Sequence, residues 1–193
     1  MALIVAMVLS YLLGSIPTGL WLGQWLRGID VREHGSGNIG ATNTLRVLGK
    51  GLGAAALAGD VLKGVIPVVA IARLSGSEYA PMLCGVAAIV GHTAPLYLKF
   101  KGGKGVATSA GVFLGLSPLP MLIALAVFIA VVAVTHMVSA GSISAAVALV
   151  AAINLLPSPG YLRIIAAALA ILVVWRHRTN IQRILHGNES RLW

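Results

Sequence analysis

The chain has 193 residues, of which 58% are hydrophobic and only 10% charged, and its mean hydropathy is +0.93. Soluble globular domains carry about 25% charged residues, so this composition excludes a water-soluble fold and calls for an integral membrane protein. The formal charge of +9, from 14 Lys and Arg against 5 Asp and Glu, fits anionic lipid, an anionic substrate or topological signals. With the bases confined to short connections, nucleic acid is not an expected partner.

Alanine, glycine, leucine and valine dominate without two-residue alternation, so the spanning elements are expected to be helices, in one all-α bundle. Cys84 is the sole cysteine and lies in an apolar segment, which excludes an intramolecular disulfide and suits core filling. No Lys or Arg precedes Arg27, so the first apolar stretch lacks the basic start of a secretory signal and is expected to be a retained span.

In chain order, a first helix is expected over about 2–26, kinked at Pro17, with Trp21 and Trp25 at one membrane interface. The polar run His34-Gly-Ser-Gly-Asn-Ile-Gly-Ala-Thr-Asn-Thr-Leu-Arg46 has the composition of loops and turns. The second apolar segment, about 48–74, carries Asp60 and Lys63 one helical turn apart. Asp60 lies some ten residues past the loop, roughly 15 Å at helical rise, so both charges should face the bundle interior, where bracing is their expected role.

A third span is expected from Pro81 to near residue 98, with His92 late in it. Then comes Lys99-Phe-Lys-Gly-Gly-Lys-Gly-Val-Ala-Thr-Ser109, in which glycines free backbone N–H groups to turn toward a ligand and lysines supply mobile ammonium groups. That combination suits an oxyanion, although a basic membrane-flanking loop has the same composition. A short fourth segment over 105–116 carries Gly111 and Gly115 at the spacing that lets helices approach closely.

Further spans are expected over 121–137, 142–156 and 161–175, separated by turns at 139–141 and 156–160. Merging 105–137 and 142–175 into single helices would give five spans, but about 33 residues would reach roughly 50 Å across a 30 Å core, so seven is preferred. Ile181, Ile184 and Leu185 recur at helical spacing in the tail, as in an amphipathic interfacial helix.

Eleven of the 14 bases fall in three segments, about 27–50, 99–109 and 176–193, and either span count puts these on one side. The positive-inside rule makes that side cytoplasmic, with the N-terminus outside and the C-terminus inside. Three cationic islands rich in small and amide residues suit a site that holds phosphates at headgroup level. A helix starting near Ser142, with its hydroxyl as cap, would add free N–H groups on the same face.

Several chemistries are absent. Lys104 is followed by Gly105 and position 98 is leucine, so there is no nucleotide-binding P-loop. No His-x4-Asp pattern and no Gly-x-Ser-x-Gly elbow occurs, and Asp30 with Glu33 is too few acids for a magnesium site. The residues alone leave open an enzyme acting on phosphorylated substrates, a membrane transporter of organic phosphates, and a lipid-binding structural subunit. Polar islands on one side only, and no internal repeat, weigh against the transporter.

Three segments resemble the cytoplasmic motifs of the bacterial acyl-phosphate:glycerol-3-phosphate acyltransferases (PlsY type). They are Gly35-Ser-Gly-Asn-Ile-Gly-Ala-Thr-Asn43, Gly91-His-Thr-Ala-Pro-Leu-Tyr-Leu-Lys-Phe-Lys-Gly-Gly-Lys-Gly-Val-Ala-Thr108 and Arg176-His-Arg-Thr-Asn-Ile-Gln-Arg-Ile-Leu-His-Gly-Asn-Glu189, in that order. Ala94 and Pro95 depart from the second motif, where a packing change is expected. The resemblance implies transfer of a fatty acyl group from acyl phosphate to the 1-hydroxyl of sn-glycerol 3-phosphate, in the bacterial inner membrane. It implies no metal, cofactor, CoA or protein partner.

Carried over position by position, Ser36, Arg46, Lys104, His177 and Asn180 would be catalytic, contacting phosphate or the developing oxyanion. Asn38, Thr42, Asn43, Gly102 and Gly103 would bind substrate, joined by Ser142 from the turn considered above. Glu189 would be structural, as Asp60 and Lys63 are on the bracing reading given above. His177 is the general base by residue type, yet Arg176 and Arg178 flank it and no carboxylate is near in sequence. A phosphoryl oxygen of the donor is therefore the preferred proton acceptor.

Overall fold

The computed structural model describes residues 1–192; Trp193, the last residue of the basic tail segment, lies outside the described residues. Every regular element among the described residues is helical. The contacts group into two compact units, one over Met1–Leu116 and one from Ser117 onward.

In the first unit, α1 (Ala2–Gly14) and α2 (Thr18–Arg27) meet at 46°. Pro17 sits between them, where its missing N–H and fixed φ end one helix and admit the next. Then follow α3 (Ala41–Leu48), α4 (Lys50–Val69), α5 (Ala80–Thr93) and α6 (Val106–Leu116), with short 3₁₀ turns at Val31–Glu33, Ile71–Leu74 and Leu96–Leu98.

α3 departs from the reading of 34–46 as irregular loop. Thr-Asn-Thr is a poor helix former, but the Gly40 carbonyl accepts from the Asn43 and Thr44 N–H groups, both at 3.1 Å, and from Thr44 Oγ1 at 3.2 Å. α3 also packs on α4, where Leu45 occupies space that any Cβ on Gly53 would invade. Tertiary contact outweighs local propensity here.

α4 and α6 approach closely through small residues. A Cβ on Gly111 would overlap the Val61 carbonyl, and one on Gly64 the Thr108 carbonyl, so the glycine spacing of α6 is matched from α4. α5 lies against α1 in the same manner, with Gly14 facing Ala88 and Gly91 facing Tyr11.

The second unit holds α7 (Pro118–Thr135), α8 (Val138–Leu155), α9 (Gly160–Arg176) and α10 (Arg178–Leu185). α8 packs against both α7 and α9, so 142–175 is two helices folded back on each other and not one long rod. α9 and α10 bend by 58°. Beyond α10 the chain returns to the α7–α8 turn, where Leu192 N donates to the His136 carbonyl at 2.9 Å.

The expected helix start at Ser142 is corrected. α8 begins at Val138, and Ser142 lies a full turn inside it, its hydroxyl donating to the Val138 carbonyl at 2.8 Å. Its oxygen therefore caps nothing: it is a back-bonded hydroxyl within the helix.

Among the described residues, four helical segments are long and apolar enough to cross a membrane: Lys50–Leu74, Ala80–Leu98, α7 and α8. Each bent pair, α1 with α2 and α9 with α10, passes the same test when taken together, and α6 is a shorter apolar helix. The protein is an all-helical integral membrane protein.

Candidate active site

The first motif is knitted by one buried amide. Asn43 Oδ1 accepts from Ser36 N at 2.8 Å, while Nδ2 donates to the carbonyls of Val31 at 2.7 Å and His34 at 3.2 Å. Gly35 sits against that amide with φ +60, where a Cβ would both strain the backbone and strike Asn43 Oδ1. Asn38 Oδ1 accepts from Gly40 N at 2.9 Å. Both amides thus hold the loop's own backbone in shape.

What the loop displays is different. Ser36 and Arg46 are exposed, and Thr42 is half-buried in the first turn of α3. Arg46 follows Asn43 by three residues on α3, so a single amide anchors the segments that carry both exposed groups. Asp30, which caps the preceding 3₁₀ turn, accepts from Arg32 N at 2.9 Å and from its Nε at 3.0 Å. The Arg32 side chain holds the Asp30 carboxyl below the usual carboxylate range.

The second motif folds over the end of α5. Lys99 and Phe100 adopt left-handed backbone, φ 50 and 64, unusual for residues with side chains. The chain then doubles back so that Gly103 N donates to the His92 carbonyl at 3.1 Å. A Cβ on Gly102 would overlap that carbonyl, and one on Gly103 would overlap His92 Nε2, so only glycine allows this approach. Lys104 follows immediately and is half-buried.

Beneath this loop lies a charged cluster. Lys63 Nζ is 2.8 Å from Asp60 Oδ1 and donates at 2.7 Å to the Ile16 carbonyl, which at the α1–α2 break also accepts from Thr18 N at 3.1 Å. His92 Nδ1 faces the same Asp60 oxygen at 3.9 Å, and all three side chains are at most 4% exposed.

In the second unit the third motif forms its own network. His177 is buried at the junction of α9 and α10, with Nδ1 2.8 Å from the Val173 carbonyl. A carbonyl only accepts, so Nδ1 carries a proton and donates it to Val173. Asn180 Nδ2 donates to Glu189 Oε1 at 2.6 Å, which fixes which way round the amide sits. Ser139 Oγ donates to the same oxygen at 2.7 Å, and Arg183 Nε donates to Glu189 Oε2 at 2.8 Å.

Burial alone would raise the Glu189 carboxyl; bonds from Arg183, Asn180 and Ser139, with the Arg183 charge, outweigh it and hold the carboxyl below its ordinary value. Arg176 and Arg178 both lie against the Trp175 ring, 5.3 and 5.0 Å from its centroid.

Sequence reasoning left His92 and Ser139 without a role. A histidine at the apolar end of a span, just before the lysine-glycine run, was the available signal for the first. Ser139 carried none, because its partner lies 50 residues away.

Known proteins are similar to this chain over almost its whole length. The sequence model of the glycerol-3-phosphate acyltransferase family matches residues 4–187. A glycerol-3-phosphate acyltransferase of Trichlorobacter lovleyi is 50% identical, over 94% of this chain and 93% of that protein. One from Streptococcus equi subsp. zooepidemicus is 43% identical, over 98% and 92%. The fold matches the crystal structure of PlsY (YgiH), an integral membrane glycerol 3-phosphate acyltransferase, in its glycerol 3-phosphate form, with TM-score 0.93 and 36% identity over 100% of this chain and 96% of that one. The lysophosphatidic acid form of PlsY matches with TM-score 0.90 and 35% identity over the same shares. With its three motifs in order and the match running almost end to end, the chain belongs to the glycerol-3-phosphate acyltransferase family.

Proposed function

We propose that this protein transfers a fatty acyl group from acyl phosphate to the 1-hydroxyl of sn-glycerol 3-phosphate, giving lysophosphatidic acid and inorganic phosphate. The observation that carries the reading is the whole-chain match to a structure known in both a glycerol 3-phosphate form and a lysophosphatidic acid form. Substrate and product of that transfer differ by one acyl group. The donor assignment rests on the motif resemblance.

In this reading, the chain is one polytopic domain of seven spans in the bacterial inner membrane, with its motif segments on the cytoplasmic side. One substrate is soluble and the other has a membrane-dissolved tail, so cationic loops at the membrane surface meet both demands. No metal, cofactor or protein partner is needed.

Lys104, carried by the tightly folded glycine turn, and Arg46 neutralise phosphate charge, and Ser36 donates to it. Gly102 and Gly103 bring backbone close to glycerol 3-phosphate, with Thr42 and Ser142 as supporting contacts. Asn38 and Asn43 act by shaping the first loop. The 1-hydroxyl oxygen attacks the acyl carbon, the bond from that carbon to the phosphate oxygen breaks, and the hydroxyl proton leaves with the departing phosphate. His177 Nε2 and the amide of Asn180 orient the attacking hydroxyl, while the cations stabilise the tetrahedral oxyanion.

Purified protein given palmitoyl phosphate, glycerol 3-phosphate and no metal should release phosphate and lysophosphatidic acid in equal amounts. Equal use of acyl-CoA would overturn the donor assignment, and no product from either donor in folded protein would favour a phosphate transporter. His177→Asn should keep far more activity than His177→Ala if the histidine positions the acceptor. A complete loss in both at every pH would make it the base.

A further inference from the structure

Resting on the reading above, in which the Gly102–Lys104 turn binds glycerol 3-phosphate, we infer that His92 is the positioning residue that holds this turn in its binding geometry, with Asp60 and Lys63 as its footing.

The argument starts from the turn itself. A run of Lys-Gly-Gly-Lys-Gly has little conformational preference of its own, because glycine loses more backbone freedom on ordering than any other residue. Something outside the run must fix where the Lys104 ammonium stands. His92 supports the turn from two directions: its carbonyl accepts the Gly103 N–H at 3.1 Å, and its ring Nε2 occupies the space a Cβ on Gly103 would need. Neither glycine could carry a Cβ without displacing His92.

A support is only as stiff as its own setting. His92 is 4% exposed, and the opposite edge of its ring, Nδ1, faces Asp60 Oδ1 at 3.9 Å. Asp60 is held by Lys63 at 2.8 Å, and Lys63 by the Ile16 carbonyl at 2.7 Å. The ring therefore spans from a buried ion pair in α4 to the backbone of the lysine-glycine turn. A bracing role for Asp60 and Lys63 alone leaves unexplained why the ion pair sits directly under His92. Holding a phosphate-binding turn within a fraction of an ångström requires such a second layer of fixed groups.

Two substitutions separate the ring's two edges. His92→Asn keeps a polar atom near the Asp60 side but loses the reach to Gly103; His92→Gln restores that reach. In detergent-purified protein, His92→Asn is expected to raise KM for glycerol 3-phosphate about tenfold, with kcat and donor KM changed less than about threefold. His92→Gln should lie between it and the unchanged protein.

Because His92 acts through the turn, His92→Asn should add little once Lys104→Met is in place. Multiplying effects, or a uniform fall in kcat that follows loss of folded protein, would overturn the inference while leaving the substrate reading intact. If Lys104→Met by itself leaves KM for glycerol 3-phosphate unchanged, the substrate reading of the turn fails and the role of His92 falls with it. Should the asparagine variant not fold, the glutamine variant decides by the same cycle with Lys104→Met: an unchanged KM, or one raised independently of Lys104, counts against the inference.

Discussion

Asp60 meets its counter-charge on the next turn of the same helix, whereas Glu189 gathers Ser139, Asn180 and Arg183 from three separate positions. Both carboxylates are buried, and both stand beside a motif. The first pair can form as soon as α4 forms, because i,i+3 neighbours share a helix face. The second network exists only when the tail has folded back to the start of α8. The difference teaches that the ion pair of α4 compensates buried charge inside one element, while Glu189 reports closure of the second unit around Asn180.

Breaking the local pair should have the larger effect. Asp60→Ala leaves Lys63 buried without its counter-charge, which costs about 3–5 kcal/mol when one member of a buried pair is removed. Thermal unfolding in detergent should show a large drop in Tm, and Asp60→Ala with Lys63→Met should recover at least half of it. A single variant as stable as the double would mean that the pair carries no coupling.

Glu189→Gln should come next, at about 1.5–3 kcal/mol, the range for hydrogen bonds to a charged group. Shape is kept, but the new amide cannot accept from all three donors, and one end of it meets Arg183. The pH dependence has a definite sign. The folded carboxyl titrates below its unfolded value, so the unfolded chain binds protons first as pH falls. The contribution is complete above the unfolded carboxylate range and fades as pH drops through the folded value. The glutamine variant should lack this acid-side loss in pH-dependent melting; an identical profile would exclude Glu189 as its source.

Asn43 offers the same architecture without charge, one amide with three backbone partners. Asn43→Ala should cost about 1–3 kcal/mol through unsatisfied groups. Activity should fall further than stability accounts for, about 10- to 100-fold, because Ser36 and Arg46 lose their common anchor. Activity falling only in step with folded protein would assign the amide a purely structural role.

Local features were the legible ones. Pro17 ends α1, the proline-rich stretches near 117–120 and 156–160 separate helices, and the glycines of α6 lie on α4 because their spacing selects one face. The i,i+3 spacing of Asp60 and Lys63 announces an ion pair for the same reason. α3 was hidden because weak helix formers are held there by packing on α4. The start of α8 was misplaced because its N-cap, Met137, makes no side-chain capping bond, while Ser139 and Ser142 lie inside the helix. His92 over Gly103, and Ser139 on Glu189, are contacts made through folding, which no spacing encodes.

The smallest effect tests whether burial is what separates these carboxylates from ordinary surface ones. Asp30 also carries a lowered pKa, for which its side-chain bond with Arg32 is the leading cause, but the Arg32 side chain is 46% exposed. Water and salt screen such a pair, so its value stays within about 1 kcal/mol despite good geometry. Asp30→Ala removes the cap of a short 3₁₀ turn together with that weak pair. Melting at low and high salt should show a Tm shift well below that of Glu189→Gln, shrinking further as salt rises, whereas the Glu189→Gln shift should scarcely respond. A salt-insensitive loss at Asp30 as large as that at Glu189 would mean that position along the chain, and not burial, governs what a carboxylate contributes here.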